Sequence, residues 1–484
     1  MLPPRGPQFG NCKPTRWTWH ELPDVTCLDG SPAGFYHTRA IGPVFAHSWV
    51  IYFEGGGWCV SPEDCALRGT TTRGSSRHWP GNGTRFGQLL HMCCFATPFC
   101  RFHRVMLKSC DGHSFAGEAE IASPQVRAAQ MPAVLHSTGR AIVRATMSIL
   151  LDRLDLHRAD DVLVAGCSAG GLAALLHAEA IRDALRARGA LPRRFKVASL
   201  AGLFFPAGGG TAAAADTAMP FVQQVVQAVA LGRMRFSPKC LTRWPASEPW
   251  RCFFGAEPLE ALPADIPAFV VQSRLDLWQT SCVVAAAPSR FSELHCAHGN
   301  SWSRCLNGFK PIFYSRKTGQ LSACSGAQWQ QLHQFEQRNG EALAQSRALL
   351  RRGSGSWVHS CHDHCPGFDM LLYAGARRAE SNESFNMRQA IFEWFWDCDT
   401  ARETTALWIC KPRDGGAPSS RHSYVGCPNA VVQRGRKMST EGDAVRGPAG
   451  SLCHQECGVP DKLAHDLGKR VAASIRKLGW NTNT

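Results

Sequence analysis

The sequence predicts an α/β fold in which helices cover both faces of a mostly parallel sheet. Short buried apolar runs, such as residues 162–166 and 266–271, alternate with helical patterns at residues 139–154 and 326–352. Strands that alternate with helices form parallel pairs, and a parallel sheet is covered on both faces. Of the 484 residues, 44% are hydrophobic and 19% are charged, as expected of a folded protein with a large core.

Before the strand predicted at residues 162–166, which we call the central strand, the chain contains an early strand, a glycine run and a cysteine-rich stretch. Residues 1–23 are rich in proline and arginine, and we expect an irregular segment there. A β-branched and aromatic strand at residues 47–54 leads into the glycine run 55–57. The cysteines in residues 60–103 predict an insertion pinned by disulfides near the mouth of a site.

After the central strand the alternation continues up to residue 398. We expect strands at 195–205, 266–271 and 356–359, and helices at 217–235 and 386–396. After residue 397 the character of the chain changes, and residues 411–450 are poor in apolar residues and rich in Gly, Ser, Arg and Pro. The predicted division is therefore an irregular segment (1–23), one domain (24–398), and a linker with a cysteine-containing tail (399–484).

The 22 cysteines indicate an oxidising compartment. Cytosolic enzymes seldom carry so many, so we expect several disulfides and a secreted or cell-wall protein. The first residues lack the apolar core of a secretory signal, which predicts either an intracellular chain or a missing start, and the cysteines favour the second. Sequons at residues 82–84 and 382–384 also fit secretion.

Charge and ligand spacing argue against several classes of protein. The formal charge of +15 suits a polyanionic partner, but no nucleic-acid-binding signature is present. Cys361 with Cys365, or Cys453 with Cys457, has the spacing of zinc ligands, but neither has a matching second pair, so we expect no metal. No run approaches the roughly 18 apolar residues that span a membrane.

The segment Gly166–Gly170, GCSAG, matches G-x-S-x-G between a buried strand and a helical pattern. A serine on such a turn is a nucleophile elbow, and its hydroxyl projects from the carboxyl edge of the sheet. We therefore predict Ser168 as a nucleophile. Cys167 is a rival, but its side chain would point away from that of Ser168, so we expect it to be buried or bridged.

A serine nucleophile needs a base, and the base needs an orienting carboxylate. In the α/β-hydrolase arrangement the chain order is Ser, Asp, His. Asp276 follows the strand at 266–271 and would lie level with Ser168. His359, His362 and His364 are all candidates for the base. Spacing alone favours His364 only slightly over His362, and a histidine between cysteines could instead bind a metal.

The glycine run is the predicted source of an oxyanion hole. Glycines after a strand let the backbone bend and bring N–H groups close to a ligand. In hydrolases one donor comes from such a loop and another from the residue after the nucleophile, which here is Ala169. An ordinary glycine turn is the competing interpretation.

Several separated blocks give the chain a resemblance to the pectin acetylesterase family, which includes the Notum carboxylesterases. The similarity spans roughly residues 24–398. The blocks are CLDGSP at 27–32, FEGGGWC at 53–59, GSS at 74–76, CDG at 110–112 with SFAG at 114–117, GCSAGG at 166–171, DLWQ at 276–279, and SC at 360–361 with HC at 364–365.

The resemblance implies a secreted serine esterase with an α/β-hydrolase-like fold and no cofactor. It assigns Ser168 as nucleophile, His364 as base because the family has S-C-x-x-H-C there, and Asp276 as acid. It also implies oxyanion donors at Gly56, Gly57 and Ala169. GGGWC, rather than a GGWYC-like form, favours the polysaccharide acetylesterase branch over Notum.

The expected substrate is an O-acetylated polysaccharide, which a positive surface would suit if the glycan is acidic. The alternatives are a Notum-like deacylase of a fatty-acylated protein and a catalytically inactive glycan-binding protein. We expect a monomer. Two features depart from the family: Leu200 stands where the plant proteins have Asp, and residues 399–484 match nothing in it.

Overall fold

A nine-stranded, mostly parallel sheet organises the protein. The computed structural model describes residues 16–81, 86–91, 97, 99–123, 132–216, 220–292, 295–298, 302, 305, 324–359, 363–365, 375–377, 384–397, 400–403, 408–411 and 422–426. The strands of the described residues form this sheet and four separate two-stranded sheets. In chain order they are β1 (Thr18–Thr26), β2 (Pro32–Thr38), β3 (Ser48–Phe53), β4 (His103–Leu107), β5 (Ala119–Ala122), β6 (Val134–Ser137), β7 (Asp161–Cys167), β8 (Arg194–Leu200), β9 (Ala268–Ser273), β10 (Ala286–Ser292), β11 (His295–His298), β12 (Gly355–His359), β13 (Gly375–Arg377), β14 (Ser384–Asn386), β15 (Thr400–Glu403), β16 (Trp408–Lys411) and β17 (His422–Gly426).

The order across the main sheet is β1-β2-β4-β3-β7-β8-β9-β12-β17. The pairs β1–β2 and β2–β4 are antiparallel, and every other pair in this sheet is parallel. The carboxyl ends of β3, β7, β9 and β12 therefore meet at one edge. This is the edge at which ligands bind in open α/β sheets.

Helices pack on both faces of the sheet, as predicted. The α-helices of the described residues are α1 (Pro62–Gly69), α2 (Gly139–Arg153), α3 (Ala169–Ala187), α4 (Pro220–Leu231), α5 (Pro238–Leu241), α6 (Glu257–Ala261), α7 (Leu277–Gln279), α8 (Gly326–Ala344) and α9 (Met387–Trp396). Val162 and Val164 of β7 join a core with residues of α2, α3 and α8. Leu163 and Ala165 point to the other face and join a core with α9. The alternation places the central strand between two apolar layers.

The two edge strands extend past the predicted domain bounds of residues 24 and 398. β1 begins at Thr18, inside the segment 1–23 that we expected to be irregular, and Trp19 packs on Tyr36 of β2 with ring centroids 5.0 Å apart. β17 lies within residues 399–484 and pairs with β12. The sheet is thus wider than the predicted domain.

Several disulfides crosslink the chain, as the cysteine count predicted. The pairs in which both cysteines are described are Cys27–Cys110, Cys59–Cys65, Cys167–Cys365, Cys240–Cys252 and Cys305–Cys324. The sequon asparagines Asn82 and Asn382 lie outside the described residues, as do Cys361, His362, Cys453 and Cys457. Among the helices that the structure describes, none combines the length and the apolar character that crossing a bilayer requires.

Candidate active site

Ser168 occupies a strained turn between β7 and α3. Its φ of 59° and ψ of −131° are unusual for a residue with a side chain. The Ser168 N–H donates to the carbonyl of Leu200 at 2.9 Å, which links the turn to the neighbouring strand β8. The Leu200 side chain is fully buried in the apolar core. The turn has the geometry of the predicted nucleophile elbow.

Two glycines of the GCSAG segment are required by close backbone contacts. A Cβ at Gly166 would lie 2.1 Å from the carbonyl oxygen of Gly170. A Cβ at Gly170 would lie 2.2 Å from the carbonyl oxygen of Phe53, at the end of β3. Any side chain would push the elbow away from the sheet edge, so the motif is needed for the position of Ser168.

The structure brings the three predicted triad residues together. His364 Nε2 lies 2.7 Å from Ser168 Oγ, and His364 Nδ1 lies 2.8 Å from Asp276 Oδ2. Asp276 is fully buried, whereas the His364 side chain is 16% exposed. With Nδ1 protonated, His364 donates a hydrogen bond to Asp276 Oδ2, which leaves Nε2 free to accept a hydrogen bond from the Ser168 hydroxyl.

His359, the other described candidate for the base, lies elsewhere. It is 1% exposed at the end of β12, with Nε2 3.8 Å from Asp363 Oδ1. Burial lowers the pKa of His359 to about 3, with a smaller contribution from the charge of Arg274. His359 is thus a neutral core residue at pH 7.

A disulfide joins the two sides of the site directly. Cys167 precedes Ser168, Cys365 follows His364, and the two cysteines are bonded with their Cα atoms 5.6 Å apart. Cys167 is therefore bridged, as expected, and has no thiolate to act as a rival nucleophile. The crosslink holds the elbow and the histidine loop at a fixed separation although the two cysteines are 198 positions apart in the sequence.

Asp276 is positioned by the start of the short helix α7. Its Oδ1 accepts the N–H of Gln279 at 2.9 Å, while Oδ2 faces His364. The Gln279 side chain in turn accepts from the N–H of Phe205 at 2.9 Å and donates to the carbonyl of Leu203 at 3.1 Å. Sequence reasoning missed this role of Gln279, although DLWQ contains it, because a buried glutamine has no recognisable sequence pattern.

The glycine run that follows β3 passes beside the elbow. A Cβ at Gly55 would lie 2.5 Å from the carbonyl oxygen of Cys167 and 3.0 Å from Ser168 Cβ. Gly56 and Gly57 are buried, and Gly57 has a φ of 64°. Ala169 begins α3 directly after Ser168. The loop and the helix start thus lie on the two sides of the turn that carries the hydroxyl.

Aromatic side chains fill the space beside the histidine. Trp278 packs 6.2 Å from the His364 ring, and it also contacts Trp58, Phe204 and Phe221 at centroid distances of 5.5 to 5.8 Å. Trp58, Phe204 and Phe221 are each at most 4% exposed. We call these four rings the aromatic cluster. Its core also includes Ala169, next to the nucleophile.

A second carboxyl group lies near the triad. Burial raises the pKa of Asp363 to about 8, and the neighbouring charge of Asp276 adds to the effect. The Asp363 carbonyl accepts the N–H of Leu277 at 3.0 Å, which ties the histidine loop to α7. At pH 7 the Asp363 side chain is therefore largely neutral.

The described residues include one group with the proximity of metal ligands, formed by Cys59, Cys65 and His113. The two cysteines are bonded to each other, and a disulfide sulfur is a poor ligand. His113 is buried, and its Nδ1 lies 2.8 Å from Ser137 Oγ. This group is a structural core element.

Comparison with known proteins identifies the family. A model of the pectinacetylesterase family matches residues 18–413. Pectin acetylesterase 11 of Arabidopsis thaliana is 25% identical over 389 residues, which are 80% of this chain and 88% of that protein. Pectin acetylesterase 7 of the same plant is 26% identical, over 77% of this chain and 84% of that protein.

The Notum branch matches a shorter part of the chain. The palmitoleoyl-protein carboxylesterase notum1 of Xenopus laevis is 29% identical over 258 residues, which are 52% of this chain and 50% of that protein. Relatives on both branches are named for ester hydrolysis, so the predicted class of ester-hydrolysing enzyme is confirmed. The resemblance seen in the sequence is also confirmed: the chain belongs to the pectinacetylesterase family.

Proposed function

We propose that this carboxylesterase removes O-acetyl groups from a polysaccharide through a Ser168–His364–Asp276 triad and an acyl-enzyme. The observation that carries the proposal is the continuous hydrogen-bonded chain from Ser168 Oγ through His364 to Asp276. A serine hydroxyl is a weak nucleophile at neutral pH, and this arrangement supplies both its base and the group that orients the base.

The reaction is acyl transfer in two steps. His364 Nε2 takes the Ser168 proton as Oγ bonds to the ester carbonyl carbon, and the proton then passes to the departing sugar oxygen as its bond to that carbon breaks. Water next gives a proton to His364 as its oxygen bonds to the acyl carbon. The bond from that carbon to Ser168 Oγ then breaks, and His364 returns the proton to Oγ, which releases acetic acid, ionised to acetate at neutral pH, and regenerates Ser168. Asp276 stays ionised and stabilises the imidazolium in both steps.

The N–H groups of Gly56, Gly57 and Ala169 are the proposed oxyanion donors. Backbone donors fixed beside a nucleophile stabilise the charge that develops on the carbonyl oxygen. The approach of the glycine loop to Ser168 Cβ and the position of Ala169 at the start of α3 support this assignment. The helix N-terminus adds a favourable dipole.

The aromatic cluster favours a short acyl group. Trp278 and its neighbours pack against each other beside His364, where a long acyl chain would need an open channel. This supports acetyl over the palmitoleoyl group named for the Notum relatives. An acidic glycan would suit the net charge of +15, and the disulfides fit a secreted enzyme of the cell wall, which we expect to act as a monomer.

Covalent labelling tests the nucleophile. A fluorophosphonate should label the folded protein, and peptide mass spectrometry should find the adduct on Ser168. Ser168→Ala should abolish labelling without loss of the folded state. If folded wild-type protein is not labelled, the inactive glycan-binding alternative is favoured, and an adduct that persists in Ser168→Ala would disprove the assigned nucleophile.

A series of acyl esters tests the acyl length. We expect kcat/KM for an acetyl ester to exceed that for a dodecanoyl ester at least about 10²-fold, because the packed rings exclude the longer chain. Phe221→Ala should narrow this ratio by opening space beside Trp278. Phe102→Ala, at an equally buried ring in the core on the α9 side, is the matched control and should leave the ratio unchanged. Equal rates for the two esters in the wild type would favour the Notum-like alternative.

A further inference from the structure

Arg68 lies directly behind the glycine loop that we propose as the oxyanion hole. It belongs to α1, which begins after Ser61 and is tied to the loop by the Cys59–Cys65 disulfide. Arg68 is only 5% exposed. Arginine is rarely buried unless its guanidinium has specific partners.

The partners of the guanidinium are two carbonyl groups of the loop. Nη1 of Arg68 donates to the carbonyl oxygen of Gly56 at 2.5 Å, and Nη2 donates to that of Trp58 at 2.8 Å. The planar fork of an arginine holds two acceptors in one fixed geometry, which a lysine cannot do. A single side chain therefore fixes the orientation of two peptide groups.

Peptide geometry passes this constraint on to the N–H groups. The peptide bond is planar and trans, so the Gly56 carbonyl and the Gly57 N–H point in opposite directions. The second peptide obeys the same relation: the Trp58 carbonyl faces Arg68, and the Cys59 N–H donates to Gly112 at 3.1 Å. The Gly57 N–H is thus held pointing away from the guanidinium.

A glycine loop needs such an anchor. Gly55, Gly56 and Gly57 have more backbone freedom than other residues, and a peptide rotation would turn a donor away from its ligand. The positive charge behind the Gly56 carbonyl also polarises that peptide and strengthens its N–H as a donor. We propose that Arg68 is a positioning residue that aims the Gly57 N–H at the oxyanion. This inference rests on the proposed function.

Kinetics of Arg68→Gln and Arg68→Lys test the proposal with an acetyl ester as substrate and a trifluoromethyl ketone as transition-state analogue. Arg68→Gln should lower kcat about 10²-fold, the cost of one misaligned oxyanion donor, with KM changed less than about threefold. Affinity for the ketone, whose bound adduct carries the oxyanion, should fall by a similar factor. Arg68→Lys should recover part of both losses.

Arg104→Gln is the matched control. Arg104 is fully buried and donates to the carbonyl oxygens of Leu90 and His91 at 3.0 Å, but it lies on β4 away from the loop. We expect this variant to lose stability and to keep kcat and ketone affinity. Equal kinetic losses in the Arg68 and Arg104 variants, a wild-type kcat in Arg68→Gln, or failure of both Arg68 variants to fold would overturn the positioning role.

Ser168→Ala separates failure of this inference from failure of the proposed function. If Ser168→Ala hydrolyses the ester as fast as the wild type, the proposed function itself is wrong. If Ser168→Ala is inactive and Arg68→Gln is unaffected, only the role of Arg68 is wrong.

Discussion

Replacing Ser168 or His364 by alanine should each lower kcat for an acetyl ester by about 10⁶-fold, and the double variant should be no slower than either single variant. The two residues act as one unit, because His364 Nε2 lies 2.7 Å from Ser168 Oγ and serves mainly to remove its proton. Once either residue is absent, the other has no reaction to assist. Steady-state kinetics on the three variants, with circular dichroism to verify folding, measures the effect.

Asp276→Asn should lower kcat by about 10⁴-fold, less than the loss of either partner. Asparagine keeps the shape but can present its NH₂ group to His364 Nδ1, which favours the wrong tautomer of the ring. Asp363→Asn is the matched control at pH 7. Since the raised pKa of about 8 keeps Asp363 largely neutral, an amide there changes little charge, and kcat should stay within about tenfold of the wild type.

Additive losses would contradict this view of the site. If the Ser168→Ala/His364→Ala variant were slower by the product of the two single effects, the two residues would act independently. A smaller loss in Asp276→Asn than in Asp363→Asn would reverse the assignment of the two carboxyl groups.

The sequence was sufficient to predict the turn at Ser168 and that Asp276 and a histidine near 364 come close to it. GCSAG between an apolar run and a helical pattern predicts a local structure that requires no distant contact. The same holds for Asp276, which follows a buried strand. The choice among His359, His362 and His364 was not decided by spacing, because it depends on how the loop after β12 folds back onto α3. The Cys167–Cys365 disulfide provides part of that constraint, and pairing cannot be deduced from cysteine positions alone.

Buried polar side chains account for most of what the sequence did not reveal. Arg68 and Gln279 each hold two backbone groups near the site, yet in the sequence they resemble ordinary helix residues. Edge strands were missed for a related reason. β1 is stabilised by pairing with β2 and by the packing of Trp19 against Tyr36, and neither contact has a local signal in a segment rich in proline and arginine.

Asp363→Asn should also change how stability depends on pH. The carboxyl group has a pKa of about 8 in the folded protein against an ordinary value of 3.8, so between these values the folded state binds more protons than the unfolded state. The stabilisation that the protonated Asp363 carboxyl group contributes is fully present below about pH 3.8, and it is lost as the pH rises through 8. The loss approaches about 1.4 kcal/mol per pH unit within that window.

Urea unfolding of wild type and Asp363→Asn at pH 5, 6, 7 and 8 measures this loss. The variant has no carboxyl group at position 363. The difference between its free energy of unfolding and that of the wild type should therefore increase in favour of the variant by about 1.4 kcal/mol per pH unit up to pH 7, and the increase should level off near pH 8. Because Asp363 interacts with Asp276, ionisation near pH 8 should also alter kcat/KM in the wild type and not in the variant. A difference in stability that is constant from pH 5 to 8 would show that Asp363 ionises at its ordinary pKa, and the neutral carboxyl beside the triad would have to be abandoned.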